Sequence, residues 1–444
     1  MSFTFIDLFA GIGGFHSSLE KLGGKAVFAS EIDEAAKEVY KLNWEKSTLR
    51  EIAGDIKPLT EGEEVLVPLH EVLTGGFPCQ PFSKSGKQQG VNEARGTLFY
   101  NILRIIEAKK PELVLLENVL NLVGPKHIND YHKMIRLLRD LGYVVSKEPT
   151  IISPHEIPEK LGGTPQHRQR VFIGAIKMET KDSTIFNDIQ PLFKKDPFPE
   201  VMEWDIKTFL KNGLEVGNSD SSNLNKLSPT RLQSLQIWND FLHIYKQKHI
   251  NKNLPGFPLW SEYWQENISG ETLELFPEWK KEIILENHKF YLNNIDWINS
   301  WRTSDFNTMK ASFKKFEWQA GAETDLFECL IQFRPSGIRV KKANYVPAFV
   351  ALTQTPVLGW LKRTLTINEA KLLQGFPNDF NFGMQKETLS FKQIGNAVHP
   401  GVAGVVFQAL VKRAIRIGQP WANSLDISNF RLNEIIIVDE QTLY

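Results

Sequence analysis

The stretch FTFIDLFAGIGGF, residues 3–15, decides the fold, because an apolar run passes directly into a glycine-rich turn. The apolar run predicts a buried strand over Phe3–Phe9. Gly11, Gly13 and Gly14 follow at once, and such a turn lets backbone N–H groups approach a ligand at the end of a parallel strand. A dinucleotide site is the commonest function of such a turn, and a tight turn without a ligand is the alternative. The immediate succession of Gly13 and Gly14 departs from G-x-G-x-x-G and weakens a nicotinamide interpretation.

Further apolar runs alternate with amphipathic stretches to about residue 180, which is typical of βα units and a mainly parallel sheet. Strands are predicted at Ala26–Ser30, Glu71–Thr74, Leu113–Leu116 and Val171–Ile176. Residues 101–110 and 131–142 carry apolar side chains every three or four positions, as packed helices do. A buried helix is predicted again over residues 398–415, so the chain returns to its first domain. The predicted fold class is α/β.

Residues 178 to about 330 differ from the rest in composition. They are rich in Trp, Asn, Lys and Phe, and their hydrophobic periodicity is weaker. Polar blocks such as GNSDSSNLNKLSPT, residues 217–230, interrupt them. We therefore predict an irregular second domain with long loops.

Composition limits the possible function only broadly. The 444 residues include 52 Lys and Arg and 52 Asp and Glu, so only a local basic patch could favour nucleic acid. The two cysteines, Cys79 and Cys329, have no metal-ligand spacing, and no metal is expected. We find no signal peptide and no uninterrupted apolar run that could span a bilayer. A soluble cytoplasmic protein without a membrane partner is expected.

Acidic residues follow two of the early apolar runs. Glu31, in SEID, suits the hydroxyls of a ribose, or as a first-turn acid it stabilises the start of a helix. Asp55, in GDI, suits the amino group of an adenine, and a solvated loop aspartate is the alternative. Together with the glycine turn, the ordered set favours a nucleotide-type cofactor.

Cys79 lies in TGGFPCQPFS, residues 74–83, between Pro78 and Pro81. The prolines stiffen the loop and remove backbone donors. A thiolate whose pKa is lowered there is a strong nucleophile, and a buried inert thiol is the alternative. The polar continuation of the loop argues against burial. Cys329, in apolar LFECLIQF, is expected to be a core residue.

Glu117 and two arginines complete the candidate chemistry. Glu117 ends the predicted strand in PELVLLENVLNLVG and points into a crevice, or it caps the next helix. Arg168 and Arg170, in TPQHRQRVFIG, are predicted to lie just before or in a strand, where two residues at i and i+2 share one face. They then clamp an anion or a polar ring, or form a solvated edge pair.

The order of these motifs resembles that of the cytosine-C5 DNA methyltransferases. The matching elements are FAGIGG, SEID, GDI, GGFPCQPFS, ENV, QHRQR, RTLTINEAKLLQGFP and IGNAV. The resemblance covers residues 1 to about 178 and about 334 to 412. It implies a Rossmann-like, S-adenosylmethionine-dependent methyltransferase fold with a mixed, mainly parallel sheet and an irregular target-recognition domain. Residues 1–180, completed by 392–444, would bind cofactor and catalyse, and residues 181–391 would form the target-recognition domain and hinge.

The resemblance also implies catalytic roles. Cys79 would attack C6 of cytosine, and Glu117 would hold N3 and the exocyclic amine. Arg168 and Arg170 would orient the ring and the cysteine loop. A base, taken to be water, would remove the C5 proton before the thiol is eliminated. The target cytosine is expected to be flipped out of the duplex.

The implied cofactor is S-adenosylmethionine. The residues expected to contact it are Phe9, Gly11 and Gly13 at the adenosine and methionine ends, Glu31 at the ribose, Ile32, Asp55 and Ile56 at the adenine, and Asn396 of IGNAV.

The resemblance implies double-stranded DNA as substrate. Arg334, Arg339, Lys341 and Lys342, near Tyr345, form a basic cluster suited to phosphates and base edges, or a merely solvated charged loop. The expected role is modification in a bacterial or phage restriction–modification system, with a cognate restriction endonuclease as functional partner. A monomer is expected, and a chain that begins at the catalytic strand without an appended regulatory domain fits this role.

Three alternatives stay open. A tRNA cytosine-C5 methyltransferase would have a shorter variable region than residues 178–330. A nucleotide-dependent oxidoreductase would leave PCQ, ENV and QxRxR without a role. A catalytically silent DNA-binding relative would not be expected to retain Cys79, Glu117 and Arg168. The sequence determines neither the recognition sequence nor the function of residues 421–444.

Overall fold

The structure is a computed structural model that describes residues 2–44, 52–78, 97–178, 189–193, 198, 201, 203–213, 225–269, 273–349 and 355–438. The chain divides into two compact units. The first contains Met1–Trp204, Pro347–Ala351 and Ala370–Tyr444, and the second contains Asp205–Val346 and Leu352–Glu369. These units are defined by packing, and the functional domain boundaries drawn from the sequence stay predictions.

A seven-stranded mixed sheet forms the centre of the described part of the first unit. Its strands are β1 (Phe3–Leu8), β2 (Gly24–Ser30), β3 (Val72–Gly76), β4 (Leu113–Val119), β5 (Tyr143–Val145), β6 (Thr150–Ile152) and β8 (Arg170–Lys177), and a short β7 (Gln166–His167) lies outside it. The strand order is β2-β1-β3-β4-β8-β5, with β6 also paired to β8. Strands β1 to β4 pair in parallel, and β8 runs antiparallel to its neighbours. The predicted α/β fold with a mainly parallel sheet is confirmed.

Apolar side chains cover both faces of this sheet. Along β1, Phe3 and Phe5 pack into one core, while Ile6 and Leu8 pack into the other. Strands buried on both faces form continuous apolar runs, which is why the sequence reveals them so clearly. The flanking helices in this part of the chain are α1 (Gly14–Lys21), α2 (Glu34–Trp44), α3 (Lys57–Thr60), α4 (Leu98–Lys109) and α5 (Ile128–Asp140).

The second unit combines helices with a six-stranded sheet among its described residues. Its helices are α6 (Ile206–Gly213), α7 (Pro229–Lys248), α8 (Glu278–Leu292), α9 (Ile295–Trp301) and α10 (Ser304–Thr308). The sheet contains β9 (Leu259–Trp260), β10 (Lys315–Gln319), β11 (Leu330–Arg334), β12 (Gly337–Lys341), β14 (Val357–Leu358) and β15 (Arg363–Thr364); a short β13 spans Val346–Pro347. Aromatic rings fill the core, where fully buried Trp238 stacks on Phe316 with ring centroids 4.5 Å apart. Two long helices, α7 and α8, thus lie where the sequence periodicity is weak.

The last helices are α11 (Ile367–Leu373), α12 (Glu387–Asn396), α13 (Pro400–Arg416) and α14 (Pro420–Ser424). Helix α13 belongs to the same core as Phe3 and Phe5, as the predicted return of the chain requires. The stretch Glu387–Arg416 is long and apolar enough to cross a membrane by length and composition. However, 83% of its most apolar 18-residue segment is buried inside the protein. A core helix passes the same test, so burial accounts for its composition.

The segment after α13 packs onto the first unit. The Trp421 Nε1–H donates to Glu71 Oε1 at 2.8 Å. The Lys412 ammonium donates to the carbonyls of Leu432 and Ile435. Ile435 is fully buried, so this segment is part of the first unit's core.

Candidate functional site

A cavity of about 500 Å³ lies in the first unit where β1, β2, β3 and β4 end, and we call it the strand-end cavity. Ligands bind at this edge of open α/β sheets. The structure brings together in its lining the sequence-predicted residues Phe9, Gly11, Glu31, Ile32, Asp55, Ile56, Glu117, Arg168, Arg170 and Asn396. The ends of β1, β2, β3 and β4 therefore meet around this cavity. Gly395 and Asn396, from far along the chain, join them there.

Two predicted site residues are not in this lining. Gly13 is the N-cap of α1 with φ of 89°, and an added Cβ would lie 2.1 Å from Trp44 Nε1. The Trp44 indole N–H donates to the Ile12 carbonyl, so Gly13 allows the turn to pack against α2. Cys79 lies outside the described residues. Pro78, which precedes it in the sequence, lines the strand-end cavity.

The glycine turn is tied to the acid that ends β2. The Gly11 N–H donates to Glu31 Oε2, and the Asp33 N–H donates to Oε1, both at 2.8 Å. Gly11 has φ of 56°, and a Cβ added to it would meet nothing within 4 Å among the described residues. The turn therefore leaves room for a ligand beside a fixed carboxylate.

The other end of the strand-end cavity is more apolar. Ile32 is 70% exposed, although it is a large apolar side chain beside a cavity. Ile56, Phe77 and Leu98 add apolar lining. Asp55 accepts from the Lys57 N–H at 3.0 Å. A flat ring could pack on these apolar groups while a carboxylate accepts from its edge.

A buried ion pair lies at the end of β4. Arg170 Nε lies 3.0 Å from Glu117 Oε1, and Glu117 is only 8% exposed. Burial raises the pKa of the Glu117 carboxyl, while the charges of Arg170 and Arg168 oppose the rise. Burial lowers the pKa of Arg170, which Glu117 in turn opposes. The pair places a polarised carboxylate at the cavity wall, where it can hold a polar ring.

Arg168 has a different environment from Arg170. It lies in the break between β7 and β8, just before the strand that Arg170 begins, which is one of the two predicted placements. Strand alternation therefore does not fix the direction of its side chain. Its Nη1 and Nη2 donate to the carbonyls of Gly395 and Ala397 at 2.9 Å each. Burial lowers its pKa to about 9.

Sequence reasoning missed Asn118. Its Nδ2 donates to the Phe77 carbonyl at 2.8 Å, and its Oδ1 accepts from the Val119 N–H at 2.8 Å. Asn118 is 3% exposed and lines the strand-end cavity. It therefore fixes the backbone two residues before Cys79. The signal available in the sequence was its place beside Glu117 at the end of a strand.

The predicted basic cluster lies in the second unit. Glu317 on β10 pairs in register with Arg339 on β12, and Arg339 Nε donates to Glu317 Oε2 at 2.9 Å. Arg334 Nη1 lies 3.6 Å from the same oxygen. Lys341 Nζ lies 5.6 Å from the centre of the Tyr345 ring. We call this surface, formed by Glu317, Gln319, Arg334, Arg339 and Lys341, the Glu317 face.

No group of three or more His, Cys, Asp or Glu side chains in the described residues is arranged to hold a metal ion. The other thiol, that of Cys329, is fully buried, and burial raises its pKa to about 12. It is a core residue of the second unit, as the sequence predicts.

A mixed, mainly parallel sheet with a cavity at the ends of its parallel strands is an arrangement typical of enzymes that bind nucleotide-type cofactors. Residues 3–412 match the C-5 cytosine-specific DNA methylase family, and the chain belongs to that family. It is a DNA (cytosine-5-)-methyltransferase, as predicted from its motifs.

Two relatives agree in sequence with this assignment. The chain is 36% identical to the type II methyltransferase M.AluI of Cellulosimicrobium cellulans, over 93% of this chain and 92% of that protein. It is 27% identical to the type II methyltransferase M.HgiBI of Herpetosiphon aurantiacus, over 92% and 96% of the two chains. The solved Dnmt2 methyltransferase of S. pombe covers 93% of this chain and 99% of its own, with a TM-score of 0.44 and 17% identity.

Proposed function

We propose that this enzyme methylates C5 of one cytosine within a short sequence of double-stranded DNA, with S-adenosylmethionine as methyl donor. The target base is flipped out and passes through a covalent adduct between Cys79 and C6. The observation that carries the proposal is that two kinds of group line one cavity. Glu31 and Asp55 suit a nucleotide-type cofactor, and the buried Glu117–Arg170 pair suits a polar base. Pro78, the neighbour of Cys79, lines the same cavity.

The residues of the strand-end cavity fit the donor. Glu31 is held by two backbone N–H groups beside a glycine turn with open space, which suits a ribose. Ile32 and Ile56 suit the faces of an adenine, and Asp55 suits its amino group. Phe9, Gly11 and Asn396 complete the lining, while Gly13 supports the turn from behind. When bound, S-adenosylmethionine supplies an electrophilic methyl group.

The protein's own groups would activate the cytosine. Addition of the Cys79 thiolate to C6 forms a C–S bond and moves the electron pair of the C5–C6 double bond onto C5, which makes C5 nucleophilic. Glu117 would hold N3 and the exocyclic amine, and burial raises the pKa of its carboxyl, which helps it to share a proton with N3. Arg170 would keep that carboxyl in place. Loss of the C5 proton to water and elimination of the thiolate would restore the ring.

The second unit would recognise DNA through the Glu317 face. Arginine and glutamine are the side chains that pair with guanine and adenine edges in the major groove, and lysine suits phosphates. Glu317 orients the two guanidinium groups before DNA is present. Phe316 and Trp318 alternate with Glu317 along β10 and are buried, so the opposite side of the sheet anchors this surface in the aromatic core.

The biological role would be modification in a restriction–modification system. The two relatives described above are type II methyltransferases and align over more than nine-tenths of this chain. A cognate restriction endonuclease would share the recognition sequence as a functional partner. The enzyme would act as a monomer in the bacterial cytoplasm, because one chain supplies every group that the chemistry needs.

Bisulfite sequencing of plasmid DNA from a methylation-free host that expresses the enzyme tests the proposal. We expect full protection of one cytosine within one short motif. Cys79→Ala should abolish protection but retain DNA binding, whereas the matched control Cys329→Ala, which removes a core thiol, should retain protection. Protection by Cys79→Ala would overturn the covalent mechanism. Absence of protection with the folded wild type would favour methylation of tRNA or a silent DNA-binding protein.

A further inference from the structure

A turn that lines the strand-end cavity is held from behind by buried side chains. This turn is the C-terminal end of α12, where Gly395 and Asn396 line the cavity and Ala397 is the C-cap. The carbonyls on either side of Asn396 both accept hydrogen bonds. Arg168 donates to the Gly395 and Ala397 carbonyls at 2.9 Å each, and Gln374 Nε2 donates to the Ala397 carbonyl at 3.0 Å. Three donors thus fix the carbonyls of the two residues that flank Asn396, Gly395 and Ala397.

The glutamine that completes this arrangement is itself held. Gln374 is fully buried, and its Oε1 accepts from Gln166 Nε2 at 3.1 Å. Gln166 is also fully buried and lies two residues before Arg168. Since buried amides without partners are costly, the three side chains depend on one another. The segment Thr164–Arg168 therefore carries both supports of the turn.

The segment around Gln374 is positioned by two further contacts. Thr164 Oγ1 donates to the Leu373 carbonyl at 2.7 Å. Gly375, with φ of 80°, lies against the His399 ring, where an added Cβ would be 2.5 Å from Cε1. Gln374 is thus fixed from both sides, and a change at Gln374 should be felt mainly at the turn.

We infer that Gln166, Arg168 and Gln374 form a clamp that positions Asn396 for the cofactor. Arg168 and Gln374 are positioning residues, and Arg168 acts on the cofactor side of the strand-end cavity rather than on the cytosine. The two arginines of QHRQR divide their tasks, because Arg170 pairs with Glu117 while Arg168 holds the turn. This inference rests on the proposed binding of S-adenosylmethionine.

Gln374 should contribute to the binding of S-adenosylmethionine through the clamp. Loss of the Gln374 donor leaves the Ala397 carbonyl with Arg168 alone and leaves Gln166 without its acceptor. Asn396 is then less well ordered before the cofactor binds. The free energy needed to order it is subtracted from the free energy of cofactor binding. The affinity for S-adenosylmethionine should fall, while turnover with saturating cofactor should change little.

Isothermal titration calorimetry with S-adenosylmethionine tests this claim. Gln374→Met keeps the side-chain length but removes both polar contacts, and we expect about a tenfold weaker Kd, the effect of one lost buried hydrogen bond. The matched control is Gln408→Met. Gln408 is a buried amide of the same unit that donates to the Gly404 carbonyl and accepts from the Arg431 N–H. The Gln408→Met variant should bind S-adenosylmethionine with the Kd of the wild type.

Kinetics provide the second readout. We expect the KM for S-adenosylmethionine of Gln374→Met to rise about tenfold with kcat within about twofold of the wild type. If Gln374→Met does not fold, Arg168→Lys takes its place, because lysine cannot reach both carbonyls at once. Equal Kd values for Gln374→Met and Gln408→Met, with a binding and active wild type, would overturn the clamp alone. A folded wild type that binds no S-adenosylmethionine would overturn both the clamp and the proposed cofactor.

Discussion

Replacement of Asn118 by alanine should slow the chemistry more than it weakens either ligand. Asn118 Nδ2 donates to the carbonyl of Phe77, and Pro78 and Cys79 follow directly in the chain. A nucleophile must lie within a near-attack distance of its target, so a looser backbone two residues away should reduce the productive fraction. The groups proposed to bind DNA and cofactor are other residues, so binding of both should persist.

The structure sets the size of the effect. Asn118→Ala leaves two backbone groups without their side-chain partner, the Phe77 carbonyl and the Val119 N–H. Val119 is 43% exposed, so water can replace its partner at little cost. Phe77 is 4% exposed, so its carbonyl stays buried without a partner, which costs about 1–3 kcal/mol of free energy. About 1.4 kcal/mol of this acting on the reactive geometry lowers kcat by about tenfold.

Single-turnover methylation of a cognate duplex with a radiolabelled methyl donor measures the rate, and thermal denaturation measures the stability. Asn101→Ala is the matched control, because Asn101 is equally buried in the same unit and donates to Thr60 Oγ1 at 2.8 Å. We expect the two variants to lose similar stability, and only Asn118→Ala to lose rate. A rate within about twofold of the wild type would refute a role for Asn118 in positioning the cysteine loop.

Three further predictions test the fold and the proposed DNA-binding role of the Glu317 face. Burial lowers the pKa of His399 from 6.5 to about 3, so the unfolded chain binds its proton first as the pH falls. Stability should therefore drop by about 2 kcal/mol between about pH 7 and pH 5, and urea unfolding of His399→Gln should lack that drop. Gly13→Ala combines a positive φ with a clash against Trp44, and thermal denaturation should show a loss of about 2–4 kcal/mol. Glu317→Gln frees two arginines from their carboxylate. Fluorescence anisotropy should then show tighter binding to non-cognate duplexes and a smaller preference for the cognate one, and an unchanged preference would contradict reading by this surface.

The sequence predicts the first unit well because its signals are local. The strands of the parallel sheet are buried on both faces, so each forms a continuous apolar run that a few neighbouring residues reveal. Residues at the ends of such strands must meet at one edge, and Phe9, Glu31 and Glu117 do line one cavity there. Gly13 shows the limit of this reasoning. A glycine in a ligand-binding turn can serve the ligand or the packing behind it, and only the position of Trp44 distinguishes the two.

The second unit is harder to predict because its core is built from rings. Trp238 and Phe241 on α7 contact Trp264, Trp301 and one another. A few large side chains can bury a helix without a regular stripe of aliphatic residues, so the periodicity of the sequence is weak although the helix is long. Composition alone therefore suggests loops where the chain forms α7 and α8.

The clamp was invisible to sequence reasoning for a different physical reason. Two arginines at alternate positions share a face only if both lie within a regular strand, and here the strand begins at Arg170. Arg168 lies just before it, and its direction is set by carbonyl groups that come more than two hundred residues later in the chain. A buried guanidinium needs several acceptors, and the end of α12 supplies two carbonyls that have no partner within the helix, those of Gly395 and Ala397. The hydrogen bonds that satisfy the buried Arg168 guanidinium also hold Asn396 at the cavity. The contact between Arg168 and the end of α12 thus serves both the stability of the unit and the shape of its site.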